Sequence, residues 1–275
     1  MYMKTLKGAD IKNKVVLLRV DFNGTIKDGE VTEDFRMRAV LLTIEYLIRE
    51  GAKKILIISH FGRPNGSNGA YSLAPVANHL SKLLPCPVEF IDDCIGSEVK
   101  KKISAQGGSA SGGKNSKCAI IVLENLRFYK GEEENGESFA KDLASFADVF
   151  VQDAFGVMHR SHASIVGVPK FLPSYAGLLV EKEVSVLSKI LKSPKRPLSI
   201  LMGGAKISTK IKVIEKFLDI ADNICLGGAL ANTALKAKGM AVGKSLVEEG
   251  VADKIKNIKL TDIRLHLPLD VKVAK

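Results

Sequence analysis

The sequence predicts an α/β fold in which strands of parallel sheets alternate with helices. Two observations lead to this prediction. Short runs rich in Val and Ile recur along the chain and are apolar at every position, and they alternate with longer segments whose apolar residues have helical spacing. A strand that helices cover on both faces of a parallel sheet is apolar on both sides. The 275 residues, 46% of them hydrophobic, suffice for two domains, because a domain usually contains about 100–200 residues.

The first series of apolar runs predicts four strands of one sheet, at residues 15–18, 55–58, 120–123 and 149–151. Between the first two runs, apolar spacing predicts a helix over residues 32–49. Thr32 suits the N-cap position, and acidic Glu33 and Asp34 follow it in the first turn. Gly51 stands just past the end of this helix. Strand, helix and strand form a βαβ unit, which indicates a doubly wound first domain.

A second series of apolar runs predicts strands of a second α/β domain, at residues 198–201, 223–226, 265–267 and 271–273. The segment between the two series, residues 174–191, has helical apolar spacing and is bracketed by Pro173 and Pro194. We therefore predict two doubly wound, Rossmann-like domains joined by a hinge helix. Their expected bounds are an N-terminal domain over residues 1–172, the hinge helix over residues 173–192, and a partial C-terminal domain over residues 193–275.

Composition favours a soluble cytoplasmic protein. The charged fraction is 26% and there is no Trp, as in many ordinary globular proteins. The four cysteines include no C-x-x-C pair, so neither a zinc nor a redox motif has its usual spacing. The first apolar run is too short for a signal peptide or a membrane span. A net charge of +11 attracts any polyanion, so charge alone does not choose between metabolites, nucleotides and nucleic acid.

Several local patterns come close to functional motifs but lack an essential member. Residues 108–115 nearly match the phosphate-binding pattern G-x-x-x-x-G-K-[ST], but Asn115 replaces the hydroxyl residue. Residues 239–245 are one residue too short for the same pattern. His159 and His162 have no neighbouring Cys or carboxylate to complete a zinc site. We predict no metal site from these residues.

Three further segments are expected to lie on the surface. The lysine run at residues 100–102 is interpreted as a solvated helix face, and a nucleic-acid contact is the less favoured alternative. The Gly/Ser-rich segment at residues 104–113 is typical of a surface loop. The acidic run at residues 132–134 is expected to be solvated, because adjacent residues do not share one helix face.

One candidate site follows from the residues at the ends of the first four strands. They are Asp21, Phe22 and Asn23; His60, Phe61, Gly62 and Arg63; Glu124, Asn125, Leu126 and Arg127; and Asp153, His159 and Arg160. In open α/β sheets, ligands bind beyond the carboxyl ends of the strands. Guanidinium groups match phosphate and carboxylate oxygens, so three arginines and a histidine at this edge indicate a small, strongly anionic substrate. Asp21 and Asn23 suit a hydroxyl group between two anionic ends. Taken singly, each arginine could instead form a surface salt bridge.

A second candidate site opens the second domain. Residues 201–210 read as a strand end, a glycine turn and a helix start, where backbone N–H groups can face phosphate. Lys206 and Lys210 are four residues apart and are expected to share one helix face. The pattern favours a site where negative charge moves, and an amphipathic surface helix is the alternative.

Seven segments, in this order, carry a resemblance to a known family. They are R-V-D-F-N at residues 19–23, S-H-F-G-R-P at 59–64, Y-S-L-A-P-V at 71–76, L-E-N-L-R-F at 123–128, D-A-F-G at 153–156, H-R at 159–160 and G-G-A-K at 203–206. The chain closely resembles phosphoglycerate kinase, and the match covers essentially all 275 residues. The resemblance implies a glycolytic phosphotransferase with a carboxyl group as acceptor. It would move a phosphoryl group reversibly between 1,3-bisphosphoglycerate with ADP and 3-phosphoglycerate with ATP.

The resemblance also implies roles for individual residues. Those implied to bind 3-phosphoglycerate are Asp21, Phe22, Asn23, Arg36, His60, Phe61, Gly62, Arg63, Arg127 and Arg160, with the last three arginines on its phosphate. Those implied to bind the nucleotide are Gly203, Gly204, Lys206, Lys210, Gly227 and Gly228. The implied catalytic residues are Arg36, Lys206 and Lys210, which would supply positive charge for direct in-line transfer without a phosphoenzyme. Closure about the hinge helix would exclude water.

The resemblance sets further expectations about cofactor, partners and length. Mg²⁺ is expected as Mg-ADP or Mg-ATP, with its protein ligand after residue 275. After the L-P-L-D segment at residues 267–270, members of the family continue for about another hundred residues, judged by the size of a typical second domain. The second domain of this chain is therefore expected to be incomplete. The full-length protein is expected to be a monomer that binds small molecules, without a membrane or nucleic-acid partner. The alternative function is a non-catalytic anion-binding fragment, specific for 3-phosphoglycerate or nucleic acid.

Overall fold

The computed structural model describes residues 3–105, 119–251, 255 and 260–270. The chain forms two compact units, Met1–Ser185 and Val186–Lys275. The division between them falls inside the segment predicted to be the hinge helix. The residues of the expected Gly/Ser loop from 106 onward, the motif-like residues 108–115, Cys118 and the predicted strand at residues 271–273 lie outside the described residues.

The first unit contains a six-stranded sheet whose paired neighbours all run parallel. Its strands and a small hairpin are β1 (Val15–Arg19), β2 (Ile26–Lys27), β3 (Glu30–Val31), β4 (Lys54–Ile58), β5 (Val88–Ile91), β6 (Ala119–Leu123), β7 (Val149–Gln152) and β8 (Ser174–Ala176). The sheet order is β5-β6-β4-β1-β7-β8, and β2 pairs antiparallel with β3. The sheet confirms the predicted α/β class, and β1, β4, β6 and β7 are the four strands predicted from apolar runs.

The helices of the first unit flank this sheet. They are α1 (Phe35–Arg49), α2 (Ala74–Leu83), α3 (Ser97–Ala105), α4 (Lys130–Glu133), α5 (Glu137–Ala144) and α6 (Leu178–Lys192), which runs on into the second unit. The predicted start of α1 at Thr32 was wrong, since the helix begins at Phe35 with Asp34 at its N-cap. Thr32 belongs to the hairpin instead, where its N–H donates to the Thr25 carbonyl at 3.0 Å.

The start of the predicted hinge helix was also wrong. Residues 174–176 form the edge strand β8, which pairs with β7, and α6 begins only at Leu178. The Gly177 N–H donates to the Gln152 carbonyl at 2.9 Å, so the chain is held to β7 up to the turn into the helix. Apolar spacing alone did not separate this short strand from the helix that follows it.

The core of the first unit occupies both faces of its sheet. Because successive side chains of a strand point to opposite faces, Val16 and Leu18 of β1 join one buried cluster with α1 and α2. Leu17 joins the other cluster with α3 and α5. Arg19 follows the same alternation and points to the second face, where it is fully buried. The sequence-predicted double-sided burial of these strands is therefore confirmed.

The second unit contains a three-stranded parallel sheet in the order β11-β10-β9. Its elements are β9 (Ser199–Met202), α7 (Ile211–Leu218), β10 (Asn223–Leu226), α8 (Gly228–Ala237) and β11 (Leu265–His266). A buried cluster that includes Ile214, Ile224 and Leu230 packs the helices onto the sheet. Leu201 is 82% exposed in β9. Among the described residues of the whole chain, no helix is both long and apolar enough to cross a membrane.

Candidate functional site

A cavity of about 270 Å³ lies at the carboxyl edge of the six-stranded sheet. The residues that line it are Asp21, Asn23, Arg36, His60, Gly62, Arg63, Arg127, Gly156, Val157 and Arg160. Eight of these ten are residues for which the sequence suggested binding to the acidic substrate. Sequence reasoning missed the other two, Gly156 and Val157, although the quoted D-A-F-G segment contains the glycine. The strand ends therefore converge as the parallel topology requires.

Phe22 and Phe61 occupy a different place from the other predicted substrate residues. Both side chains are buried in the core and neither lines the cavity. Their backbone N–H groups form hydrogen bonds that hold neighbouring strand ends together. The Phe22 N–H donates to Ser59 Oγ at 3.0 Å. The Phe61 N–H donates to Asn125 Oδ1 at 3.2 Å. Their contribution to the cavity is through packing and backbone placement.

Arg36 reaches the cavity from helix α1 and not from a strand end. Its Nη1 donates to Asp21 Oδ2 in a close ion pair, and half of the arginine side chain stays exposed. Gly156 leaves room for this pair, because a Cβ there would lie 3.1 Å from Asp21 Oδ2. The sequence argument considered residues at strand ends, and Arg36 lies in a helix, so only the family resemblance indicated this residue.

Asn125 holds two of the cavity loops together. Its Oδ1 accepts from the N–H groups of Phe61 and Arg127 at 3.2 and 3.1 Å. Its Nδ2 donates to the carbonyls of Phe61 and Tyr71 at 2.8 and 2.9 Å. All four hydrogen bonds of this buried amide are therefore made. The sequence indicates that Asn125 stands near the end of β6, but it does not indicate that the side chain joins these loops.

Gly62 is required by its backbone conformation and by a close contact. Its φ is +61°, and a Cβ at this position would lie 2.3 Å from two ring carbons of Tyr71. The Gly62 N–H donates to Asn23 Oδ1 at 2.9 Å, and its carbonyl accepts from Arg127 Nη1. This single residue thus connects three strand ends that meet at the cavity.

The cavity is strongly electropositive. Four arginines and one aspartate line it. Burial lowers the pKa of Arg127, whose Nε lies 3.2 Å from Glu133 Oε1. In the described part of the chain, the Arg160 Nε is buried without a hydrogen-bond partner. Burial, together with neighbouring cations, lowers the pKa of His60 to about 2, so this imidazole is neutral. The lining suits a small ligand with several negative charges.

A layer of buried polar groups lies behind the cavity. The expectation that residues 132–134 are solvated was wrong for Glu132, which is fully buried. Its Oε1 lies 3.9 Å from Arg19 Nη2 and accepts from Ser164 Oγ at 2.6 Å. Arg19 Nε donates to Ser164 Oγ at 2.8 Å, and Arg19 Nη2 lies 3.2 Å from His60 Nδ1. The carboxylate turns inward because a buried guanidinium stands opposite it.

In the second unit, the predicted nucleotide-site glycines lie at the carboxyl ends of β9 and β10. Gly204 and Gly228 have positive φ values, +144° and +59°. The Leu230 N–H donates to the Gly204 carbonyl at 3.1 Å, and the Gly227 N–H to the Met202 carbonyl at 2.8 Å. These hydrogen bonds place the two glycine turns side by side.

Lys206 and Lys210 do not share a helix face, contrary to the expectation from their spacing. Helix α7 begins at Ile211, so Lys210 is at its N-cap and Lys206 lies in the preceding loop. The Ser208 N–H donates to Glu248 Oε2 at 2.9 Å, and Ser208 Oγ donates to Oε1. Hydrogen bonds from Ser208 lower the pKa of Glu248. This carboxylate braces the loop between the two lysines.

Comparison with known proteins gives consistent results. A family model described as phosphoglycerate kinase matches residues 6–275. The phosphoglycerate kinase of Dictyoglomus turgidum is 46% identical over 274 residues, which cover 98% of this chain and 67% of that protein. The phosphoglycerate kinase of a Wolbachia from Drosophila simulans is 46% identical over 278 residues, covering 100% of this chain and 67% of the relative.

Solved structures give the same result. A phosphoglycerate kinase structure from Coxiella burnetii matches with a TM-score of 0.79 and 38% identity, covering 97% of this chain and 66% of that one. A phosphoglycerate kinase structure from Pyrococcus horikoshii matches with a TM-score of 0.79 and 34% identity, covering 97% and 67%. The chain therefore spans about two thirds of the length of these relatives.

Proposed function

Because the chain belongs to the phosphoglycerate kinase family, we propose that it serves reversible phosphoryl transfer between 1,3-bisphosphoglycerate with ADP and 3-phosphoglycerate with ATP. The observation that carries this proposal is the electropositive cavity of the first unit. Four arginines, a neutral histidine and the Asp21–Asn23 pair line one small space at the sheet edge. A ligand with a phosphate, a hydroxyl and a carboxylate complements that lining.

The cavity would bind 3-phosphoglycerate by its two charged ends. Arg63, Arg127 and Arg160 would hold the phosphate, since guanidinium donors pair with phosphate oxygens in a bidentate manner. Asp21 and Asn23 would bind the hydroxyl group. Arg36 would pair with the substrate carboxylate. The Arg160 Nε is buried without a hydrogen-bond partner among the described residues, which supports a ligand oxygen as its acceptor.

The second unit would bind the nucleotide phosphates. No described atom lies within 4 Å of a Cβ built at Gly203, Gly227 or Gly228, so the two glycine turns would let nucleotide phosphates approach the backbone closely, and Lys206 and Lys210 would add positive charge. Phosphoryl transfer depends mainly on alignment and charge neutralisation, so no protein nucleophile is required. Arg36 and the two lysines are the residues proposed to supply this charge.

Mg²⁺ would enter as part of the nucleotide substrate. Among the described residues, no group of three or more His, Cys, Asp or Glu side chains is placed to hold a metal ion. The ion would neutralise nucleotide phosphate oxygens when bound. Family membership also supports a glycolytic role in the cytoplasm, a monomeric state, and small molecules instead of nucleic acid as partners.

Two measurements on this chain test the proposal. Calorimetric titration should show 3-phosphoglycerate binding that the Arg36→Ala substitution weakens. A coupled assay of ATP formation from 1,3-bisphosphoglycerate and ADP measures turnover.

Absence of 3-phosphoglycerate binding would contradict the proposed substrate site. Saturable binding without turnover would instead favour a non-catalytic anion-binding chain, and steeply salt-dependent nucleic-acid binding without competition by 3-phosphoglycerate would indicate nucleic acid.

A further inference from the structure

Two opposite charges are buried directly behind the cavity. The side chains of Arg19 and Glu132 are 1% and 0% exposed. Removing such a pair from water costs several kcal/mol per ion, and apolar replacements are often equally stable. Stability alone is therefore a weak reason for this pair. Its position between the core and His60 indicates a role in the cavity.

The contact between Arg19 and His60 determines which ring nitrogen carries the proton. Arg19 Nη2 lies 3.2 Å from His60 Nδ1. A guanidinium group donates hydrogen bonds and cannot accept them, so Nδ1 must be the acceptor. In a neutral imidazole the proton then resides on Nε2. The described residues provide a side-chain partner only for Nδ1, and His60 lines the cavity.

We propose that Glu132 is a positioning residue: through Ser164 and Arg19 it fixes the His60 tautomer whose Nε2–H donates to a substrate oxygen in the cavity. The identity of that substrate as 3-phosphoglycerate rests on the proposed function. The tautomer rests only on the geometry of the buried groups. Ser164 connects the two charges, because its Oγ accepts from Arg19 Nε at 2.8 Å and donates to Glu132 Oε1 at 2.6 Å.

The surroundings of His60 keep it neutral. Burial is the main cause of its lowered pKa, followed by the positive charges of Arg19, Arg127 and Arg160, and His162 adds a further unfavourable charge when it is protonated. His162 is close to the same carboxylate, with Nδ1 3.8 Å from Glu132 Oε1, and burial lowers its pKa too. His60 therefore binds an anion as a neutral donor, and its contribution does not titrate near neutral pH.

The tautomer can be measured without substrate. Long-range ¹H–¹⁵N correlation spectra of the ¹⁵N-histidine-labelled chain distinguish the two neutral forms from imidazolium, and His60→Gln identifies the His60 signals. We expect one neutral form, protonated on Nε2, between about pH 5 and pH 8. A proton on Nδ1, or an imidazolium signal in this range, would overturn the inference whether or not the chain binds 3-phosphoglycerate. Lost 3-phosphoglycerate binding with the Nε2–H signal intact would count against the proposed function alone.

Two matched substitutions test Glu132 itself. Glu132→Gln keeps the shape of the side chain and removes its charge, and Glu134→Gln makes the same change at an exposed position of the same acidic run. In Glu132→Gln we expect both neutral tautomers of His60 and an increase of about tenfold in the 3-phosphoglycerate dissociation constant. Glu134→Gln should change neither. Unchanged His60 signals and affinity in Glu132→Gln would refute the positioning role.

A second variant covers the case in which Glu132→Gln does not fold. A buried arginine left without its carboxylate is strongly destabilising. Combining Arg19→Met with Glu132→Gln removes both charges of this buried pair and also the donor to His60 Nδ1. The single Nε2–H form should then be lost, and its persistence in the folded double variant would overturn the inference.

Discussion

The carboxylate of Asp153 accepts a hydrogen bond of 3.0 Å from the backbone N–H of Val180. Asp153 directly follows β7 and is fully buried, while Val180 lies in the first turn of α6. A carboxylate in this place satisfies a backbone donor that the helix itself cannot pair. The residue that begins the loop towards Gly156 and Arg160 therefore also anchors the start of α6.

Gly177→Ala should disturb the hydrogen bond between Asp153 and the start of α6. A Cβ at Gly177 would lie 2.3 Å from Cγ and Oδ1 of Asp153, so the carboxylate or the helix start must move. We expect the free energy of unfolding of the first unit to fall by about 1–3 kcal/mol, measured by urea denaturation. Gly69→Ala is the control, because no atom of the described residues lies within 4 Å of its added Cβ. Equal stability of the two variants would contradict the crowding argument.

Asp153→Asn should alter the pH dependence of stability. Burial raises the pKa of Asp153, so the native state binds its proton more tightly than the unfolded state does. The free energy of unfolding of the unsubstituted chain, compared with that of Asp153→Asn, should therefore decrease as the pH rises from the ordinary aspartate pKa of about 3.9 through the raised pKa of Asp153. Urea denaturation at a series of pH values measures this difference.

Asp34→Asn provides a control of opposite sign for that measurement. Hydrogen bonds from Arg38 and His79 lower the pKa of Asp34. Its stabilising contribution is therefore present above the ordinary aspartate pKa and lost as the pH falls through the lowered value. If both aspartate variants shifted the pH profile in the same direction, the environment described for Asp153 would be wrong.

Gly62→Ala should damage both folding and substrate binding. Its positive φ and the Tyr71 ring both oppose a Cβ, and the shift would disturb the contacts with Asn23 and Arg127. Gly66 has a similar φ of +79°, and no atom of the described residues lies within 4 Å of a Cβ built there, so Gly66→Ala isolates the backbone cost of about 1 kcal/mol. Thermal denaturation and 3-phosphoglycerate titration should show a larger loss for Gly62→Ala. If Gly62→Ala lost no more stability and affinity than Gly66→Ala, the Tyr71 ring would move aside at little energetic cost.

Arg160→Ala should weaken 3-phosphoglycerate binding by about tenfold or more, because it removes a charge-assisted contact proposed for the phosphate. Isothermal titration calorimetry measures the dissociation constant. Arg49→Ala is a matched control, since that exposed arginine at the end of α1 lies near Glu50 and does not line the cavity. A similar small effect of both substitutions would mean that general charge, and not the cavity, governs affinity.

Glu248→Gln should loosen the loop that carries Lys206 and Lys210. The two Ser208 donors use different oxygens of the Glu248 carboxylate, and the substitution turns one of these acceptors into an NH2 donor and removes the negative charge. We expect weaker ADP binding, measured by titration, with 3-phosphoglycerate binding unchanged. Glu249→Gln is the control, since that carboxylate pairs with Lys236 at 2.7 Å. Unchanged ADP affinity in Glu248→Gln would show that the contact between Glu248 and Ser208 does not contribute to nucleotide binding.

Local sequence predicted the central strands well and the edge strands poorly. Strands β1, β4 and β6 are buried on both faces, so nearly every position is apolar and the run is recognisable. Strands β5 and β8 lie at the two edges of the sheet, and several of their residues are only partly buried. Their assignment depends on pairing with β6 and β7, which a local pattern does not contain.

The sequence by itself determined which residues stand at the carboxyl edge of the sheet, because strand order in the chain and the parallel topology bring Asp21, His60 and Arg127 there. Tertiary structure alone decided how they are supported. Glu132 is buried instead of solvated because folding places Arg19 opposite it. An isolated E-E-E run favours water, since a buried charge is tolerated only when a distant partner compensates its desolvation.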